Sequence, residues 1–367
     1  MRIFRTGQGE ADHWGTAVKM CSETLGHALD ASGYTLGFVY VTPAFAPDLP
    51  SILTFLRETT RIPHWVGGVA YGVSAGDHEY HFGGAVVAMA LDLPQDAFEV
   101  SAAGAEPSRA DFVFALMHCL GDDPSVERAL HALLRDDRCF SVGGELASDR
   151  SSRVMVAEQV IEKALSGVFF SGNVAVIAGM AQGCIPLGEP LTVTRSRETV
   201  LMELDDRPAL DVLKECAGDL ISRRLEQAAG FIHVALPIAG DDQAGYRVRP
   251  LTGIDPRRGW LATTDPLAAG TPVLLVRRDA NSAQARMRAM LDDLRHRAGG
   301  RRILGGLYVS CAGRGPHMFG PGSREARMIR AVFPDVPLLG FYAGSQIFRD
   351  ARHVYAGTLT LFLEETS

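Results

Sequence analysis

The sequence predicts a mixed α/β fold, built from repeated strand–helix–strand–strand units that form mixed sheets covered by helices, in two halves. Three observations predict it. One order of elements recurs three times along the 367 residues. Each recurrence contains a stretch with apolar residues at helical spacing. Its other stretches are short β-branched or aromatic runs broken by glycine, as strands and tight turns require.

Along the chain, Trp14, Ala17, Val18, Cys21, Leu25 and Ala28 form one apolar stripe, which predicts a helix ahead of the first unit. The first unit is "LGFVYVT" (36–42), a helical "LPSILTFLRETT" (49–60), "HWVGGVAYG" (64–72) and "HFGGAVVAMAL" (81–91). The second is "DFVFALMH" (111–118), "DDPSVERALHALLRD" (122–136), "CFSVGGELAS" (139–148) and "EKALSGVFFSG" (162–172). Its helix has Val126, Ala129, Leu130, Leu133 and Leu134 on one face, with Asp123 as N-cap and Pro124 in the first turn. The third is "LGGLYVS" (304–310), "SREARMIRAVF" (323–333), "VPLLGFYAG" (336–344) and "HVYAGTLTLFL" (353–363). A helix with Ala285, Met287, Met290, Leu291 and Leu294 on one face precedes it, capped by Asp279 or Asn281. Strand, crossover helix, strand and antiparallel return make a mixed sheet with helices packed on it. The turn-rich "GCIPLGEP" (183–190) reads as a connector, the strand "TPVLLVRR" (271–278) lies beyond it, and a boundary near 200 gives halves 1–200 and 201–367.

Composition narrows the function. The chain is 47% hydrophobic and 22% charged, with net charge −7 and a pI near 5.9. Its Arg-rich pieces, Arg257-Arg258 and Arg295 to Arg302, are short and interrupted, so nucleic acid is not an expected partner. Six scattered cysteines with no CxxC pair fit a reducing compartment rather than a zinc site or disulfide framework. The N-terminal stretch has no signal-peptide run, and nothing reaches the roughly 18 apolar residues of a membrane span. A cytoplasmic protein with no membrane partner is expected.

Gly72-Val73-Ser74-Ala75-Gly76 fits G-x-S-x-G, but a polar turn and a strand come after it where a nucleophile elbow needs a helix, so it reads as a hairpin. His78, His81 and, at a strand end, His118 are weak metal or haem candidates with no second cluster to complete a shell. "GGLYVSCAGRGPHMFG" (305–320) runs from a buried strand into Cys311, Gly313, Arg314, Gly315 and His317. It lacks the lysine of a phosphate loop, places Pro316 within it and delays the helix to about Ser323. Four readings stand: a phosphate loop served by Arg314, a thiol nucleophile with His317 as base, a pocket wall with Arg314 as anion clamp, or Arg314 paired inside the fold with Glu325 or Asp335.

Those residues carry a resemblance. "LYVSCAGRGPHMFG", Glu325 on a helix, "FPDVPLLGFYAGSQI" and "YAGTLTLFL" resemble the C-terminal part of the FIST domain. "QGCIPLGEPLTVTRSRETVLMELDDRPALDVL" (182–213) looks like the family's central junction, and "LGFVYVTP" and "VGGVAYG" are similar to its N-terminal part. The resemblance spans roughly residues 10–365 and implies a FIST N-terminal part over 1–200 and a C-terminal part over 201–367. It implies a sensory module of bacterial signal transduction, a type also found attached to F-box proteins, that binds a small molecule such as an amino acid or derivative. Some members are haem proteins that sense nitric oxide. Carried over by residue, it marks Cys311, Gly313, Arg314, Gly315, Glu325, Gly340, Phe341, Tyr342 and Gly344. Where the family carries Gly-Glu-Ile, this chain reads Gly344-Ser345-Gln346-Ile347, which loses a charge that would pair an ammonium group.

The resulting expectation is a stand-alone small-ligand sensor, with Cys311, Gly313, Arg314, Gly315, His317, Glu325, Tyr342 and Gln346 as ligand-binding residues. The ligand is amino-acid-like or another small anion, and no cofactor is expected. A separate signalling protein, such as a histidine kinase or a cyclase, would take the output. The rival expectations are a haem-binding nitric oxide sensor with His78, His81, His118 or His317 as axial ligand, a cysteine enzyme using Cys311 with His317, and a scaffold that binds only protein.

Overall fold

The computed structural model describes residues 4–26, 33–102, 108, 111–121, 126, 139–147, 155–162, 165–218, 230–237, 246–349 and 351–364. The chain forms two compact units, one of Met1–Met180, Met287–Arg352 and Ala356–Ser367, the other of Ala181–Arg286 and His353–Tyr355.

The first unit is the threefold repeat. Its first copy runs β1 (Arg5–Glu10), α1 (Trp14–Leu25), β2 (Leu36–Val41), α2 (Leu49–Thr60), β3 (His64–Val69), β4 (Gly72–Ala75), β5 (His78–Tyr80) and β6 (Ala85–Leu91). The second supplies β7 (Phe98–Ala102), β8 (Phe112–Leu120), β9 (Phe140–Leu146), β10 (Met155–Ala157), β11 (Gln159–Ile161) and β12 (Leu165–Ser171), then β13 (Ala175–Gln182) opens the third. The helix expected at 122–136 lies outside the described residues, Val126 excepted. Residue Ala28 of the first stripe lies outside them too.

The second unit lies in the chain between β13 and the strands of the third copy. It contains β14 (Cys184–Pro186), β15 (Leu191–Arg197), β16 (Val200–Leu204), β17 (Arg207–Pro208), α3 (Ala209–Ala217), β18 (Ile232–Leu236), β19 (Arg247–Asp255), β20 (Trp260–Thr263) and β21 (Pro272–Arg278). Because β21 pairs with β15 and also with β18, the path β21-β15-β16-β20-β19-β18 closes on itself and leaves no open edge among those strands. Leu201, Leu213, Val234, Leu251, Leu261 and Val273 fill its core.

Then come α4 (Ala280–Ala298), β22 (Ile303–Cys311), α5 (Gly315–Phe319), α6 (Arg324–Val332), β23 (Leu338–Ala343), β24 (Gln346–Phe348), β25 (Ala351–His353) and β26 (Ala356–Leu363). Asp279 is the cap of α4, its Oδ1 accepting from the Ser282 N–H at 2.7 Å. The stretch expected as a loop up to Ser323 is helical at 315–319: Pro316 sits in the first turn of α5, where a missing N–H costs nothing.

Each copy builds one six-stranded sheet with a parallel central pair (β2–β3, β8–β9, β22–β23) and an antiparallel neighbour (β6, β12, β26). The equivalence holds at residue level. Val39 faces Gly67 and Met117 faces Gly143, and these glycines have φ of +146° and +142°. A Cβ on either would come within 1.8 Å of its neighbour's carbonyl oxygen, so only glycine fits. The hairpins are exchanged in a cycle. Hairpin β4–β5 adds to the third copy's sheet, β10–β11 to the first and β24–β25 to the second. Stretches on both sides of residue 200 therefore share sheets, and the core holds Phe38, Phe114 and Leu307, one from each copy.

Candidate functional site

Parallel strands β22 and β23 end together, and the chain leaves each through a turn. At that point four elements converge. From β22 come Tyr308 and Ser310, from the following turn Arg314, from β23 Tyr342, and from α6 Glu325. Hairpin β4–β5, paired to β23, contributes Glu79.

Glu325 and Arg314 are both 0% exposed and form an ion pair, Nε to Oε1 at 3.0 Å. Glu325 also accepts from the Tyr308 hydroxyl at 2.6 Å, the Ser310 hydroxyl at 3.1 and 3.2 Å, and the Gly315 N–H at 3.1 Å. A buried carboxylate requires such a shell, because unpaired it would lose its hydration without return. The guanidinium is stacked 4.9 Å from the Phe319 ring centroid and its Nη2 lies 4.0 Å from the Met287 sulfur. Burial opposes its charge, but Tyr308 and Glu325 outweigh burial and its pKa is raised. Burial, then Glu325, pushes the Tyr308 hydroxyl well above its ordinary value, so it stays a donor.

Tyr342 links this pair to a second carboxylate. Its hydroxyl is 3.5 Å from Glu325 Oε2 and hydrogen-bonded to Glu79; burial, then Glu325 and Glu79, raises its pKa well above the usual value. Glu79 is held at the N-terminus of α6: its N–H donates to Ser323 Oγ at 3.0 Å, and its Oε1 accepts from the Ala326 N–H at 2.8 Å. His81 donates to its Oε2 at 3.1 Å and packs edge-on to Tyr342, with centroids 4.4 Å apart. The His81 side chain is 15% exposed against 3% for Glu79, which makes it the group between the cluster and water. Gly315, at φ +44°, lets the imidazole lie close: a Cβ there would be 3.0 Å from His81 Cε1. Beyond His81, Phe82 is 78% exposed and Gly83 has φ +79°.

The expected site residues are thus partly gathered. Arg314, Gly315, Glu325 and Tyr342 meet, and Arg314 takes Glu325, not Asp335, as its partner. Cys311 is buried beside them, Sγ 3.8 Å from the Gly344 carbonyl oxygen. His317 is exposed on α5, so Cys311 and His317 lie in different environments. Gln346 is fully buried on β24, paired with Gly144 of β9. The histidines do not converge. His78 is exposed and 2.9 Å from Asp77, His81 serves Glu79, and His118 is buried against the Tyr40 hydroxyl at 2.8 Å. Among the described residues no group of three His, Cys, Asp or Glu is placed to hold a metal ion. Ser74 is buried within β4, opposite Gly340, and no helix comes after it. Glu79, Tyr308 and Ser310 are not singled out by the sequence; Glu79 stands in the "HEYH" run, but nothing local tells that its hairpin adds to a sheet more than 200 residues away. No described helix is long and apolar enough to cross a membrane.

Comparison with known proteins agrees with this architecture. The FIST N domain matches residues 35–207 and the FIST C domain residues 209–349. An uncharacterized protein of Mycobacterium tuberculosis is 30% identical over 369 residues, covering 88% of this chain and 92% of that protein. An uncharacterized protein of Mycobacterium bovis is 28% identical over 351 residues, covering 86% of each. The chain belongs to the FIST family, whose domains are sensory domains of signal transduction.

Proposed function

We propose that this FIST chain is a cytoplasmic sensor that captures a small amino-acid-like molecule at the carboxyl ends of β22 and β23. It passes the signal to a separate protein such as a histidine kinase or a cyclase. One observation carries the reading. A buried ion pair, Arg314–Glu325, is wired through Tyr342 to Glu79 and from there to half-buried His81 at the surface. Desolvated charges at the ends of parallel strands are where open α/β sheets place ligands, and a buried ion pair is weak evidence for a purely stabilising role.

The charges select the ligand class. Arg314 already holds Glu325, so it fixes that carboxylate rather than clamping a guest. Glu79 and Glu325 are two carboxylates against one guanidinium, so an ammonium group displacing His81 from Glu79 is favoured over a bare anion. Ligand would then bias the chain toward whichever arrangement it prefers, and only to the extent of that preference.

Thermal-shift screening of the full chain against amino acids, small amines and simple carboxylates tests this. A ligand at 100 times its Kd adds about 2.7 kcal/mol of stability. Shifts confined to ammonium-bearing compounds, and lost in Glu79→Gln, are expected. Shifts from carboxylates alone, or none from any class, would overturn the reading.

A further inference from the structure

The outer strands of the three repeat sheets are β1 and β11, β25 and β7, and β13 and β5. An outer strand presents a row of backbone N–H and C=O groups to any chain that comes alongside, and folds guard such rows with short strands, charges or cover. Four of these strands carry a charged residue: Arg5 and Glu10 on β1, Glu79 on β5, Glu99 on β7 and Arg352 on β25. Uncharged β11 is three residues long. Strand β1 is covered as well, since the Gln8 N–H donates to Thr24 Oγ1 of α1 at 2.9 Å and the Gln8 C=O accepts from that hydroxyl at 3.2 Å. Its counterpart in the third copy, β13, is unlike the rest. It reads AVIAGMAQ, eight residues with no charge and no proline.

Helix α4 covers one face of β13, where a Cβ on Gly179 would come within 2.9 Å of Met290 and 3.3 Å of Leu294. Val176 and Ala178 pack on the core at the other face. Only the outer edge is left open. Arg297 Nη1 of α4 donates to the Ala178 C=O at 3.0 Å, which identifies the residues whose backbone turns away from β26 as Val176, Ala178 and Met180, in steps of two. Val176 and Met180 have no backbone partner on that side among the described residues, and both stay partly exposed. Ala181 and Gln182 belong to the second unit, so the open stretch is 175–180.

We propose that β13 is the self-association edge of this protein, pairing antiparallel with β13 of a second copy about a twofold axis at Ala178. That register sets Ala178 against Ala178 and Val176 against Met180, and each outward residue exchanges both of its backbone hydrogen bonds. A carbonyl oxygen has two acceptor lone pairs, so Arg297 keeps its bond to Ala178. Charge complementarity selects a second copy as the occupant. The strand itself brings no charge to the axis. The twofold also sets the two α4 helices antiparallel and side by side on one face of the joined sheet. Their edge-side flank carries Asp293 and Arg297, 3.1 Å apart, so each copy offers both signs to the other. A twofold contact uses the same surface on both copies, so assembly stops at a dimer. One strand and one helix flank make a small interface, for which a micromolar dissociation constant is expected. The proposal does not depend on the Glu79–Glu325 reading, whose hairpin lies at the opposite edge of this sheet.

Sedimentation equilibrium of the full chain, over a series up to roughly 100 µM, tests this. The mass should rise from 39.5 kDa to twice that and no further. In hydrogen exchange the stretch 176–180 should gain protection as the dimer fills. Ala178→Pro removes an outward N–H that the sheet does not use and puts a ring at the axis, so it should leave a folded monomer. Asp293→Arg gives the helix flank a single sign and should weaken the dimer about tenfold or more. That variant and the wild-type exchange decide the matter should Ala178→Pro not fold. A monomer throughout the series would leave the edge to a different protein and overturn the proposal. So would growth past the dimer, a dimer whose 176–180 amides stay unprotected, or one that a folded Ala178→Pro or Asp293→Arg variant does not weaken.

Discussion

Replacing Glu325 by Gln keeps its shape and removes its charge, so the cost can be worked from the geometry around it. Arg314 would remain at 0% exposure with no counter-ion at its Nε, 3.0 Å from a neutral amide. The amide would also present N–H groups to donors that now point at a carboxylate, the Tyr308 and Ser310 hydroxyls and the Gly315 N–H. At 3.0 Å and an effective dielectric of about 20, the lost attraction is roughly 5 kcal/mol. Breaking one side of a buried pair costs about 3–5 kcal/mol, so a loss in that range is expected. For a body of this size that lowers Tm by roughly 6–20 °C. Urea unfolding monitored by tryptophan fluorescence in a Trp260→Phe background reads it, since Trp65 is buried in the first unit. The double variant Arg314→Met/Glu325→Leu should recover only part of the loss: it removes the uncompensated charge, but leaves the Tyr308 and Ser310 hydroxyls and the Gly315 N–H without their acceptor. A single variant within about 1 kcal/mol of wild type would show that the carboxylate is not carrying a desolvated charge, and would refute the argument.

The same geometry sets further outcomes. Gly67→Ala and Gly143→Ala each force a Cβ to within 1.8 Å of a carbonyl oxygen, so each should lose about 3 kcal/mol or more in chemical unfolding; neutral variants would contradict the repeat register. Native alkylation should label Cys139 and Cys216, which are half-buried, and reach Cys21, Cys119, Cys184 and Cys311 only on unfolding, with burial holding the Cys119 thiol up to about 12; mass mapping of early adducts checks it. Burial lowers the folded-state pKa of His118 to about 3 from an unfolded value of 6.5. The unfolded chain therefore binds the proton first, and stability should fall by about 1.4 kcal/mol per pH unit from near 6.5 down to near 3. A His118→Leu variant should lose that part of the slope, and an unchanged acid limb would count against it. A serine-directed phosphonate should leave Ser74 unmodified, as befits a strand residue buried opposite Gly340.

Much of the fold is legible in the sequence because its units repeat. The apolar stripes of α1 and α4, the β-branched runs of β2 and β22, and the glycines at 67 and 143 are local signals, and local signals survive in a single sequence. The hairpin exchange is not legible, since nothing in "GVSAGDHEYH" states which sheet its edge will meet. For the same reason Glu79 goes unseen while Arg314 and Glu325 suggest themselves as a pair. The short helix at Gly315–Phe319 is hidden because its glycine and proline signal turns, yet Pro316 is tolerated in a first turn. Gln346 stands out by its departure from the family pattern. That it pairs with Gly144 emerges only from the register between strands far apart in sequence.

Titration of the full chain with an ammonium-bearing ligand from the screen, read through the His81 imidazole resonances in wild type and Glu79→Gln, shows whether Glu79 captures the guest. Saturable displacement of the His81 signals is expected in the wild type and none in the variant. Binding that leaves His81 unmoved, or that persists undiminished without the Glu79 charge, would contradict it.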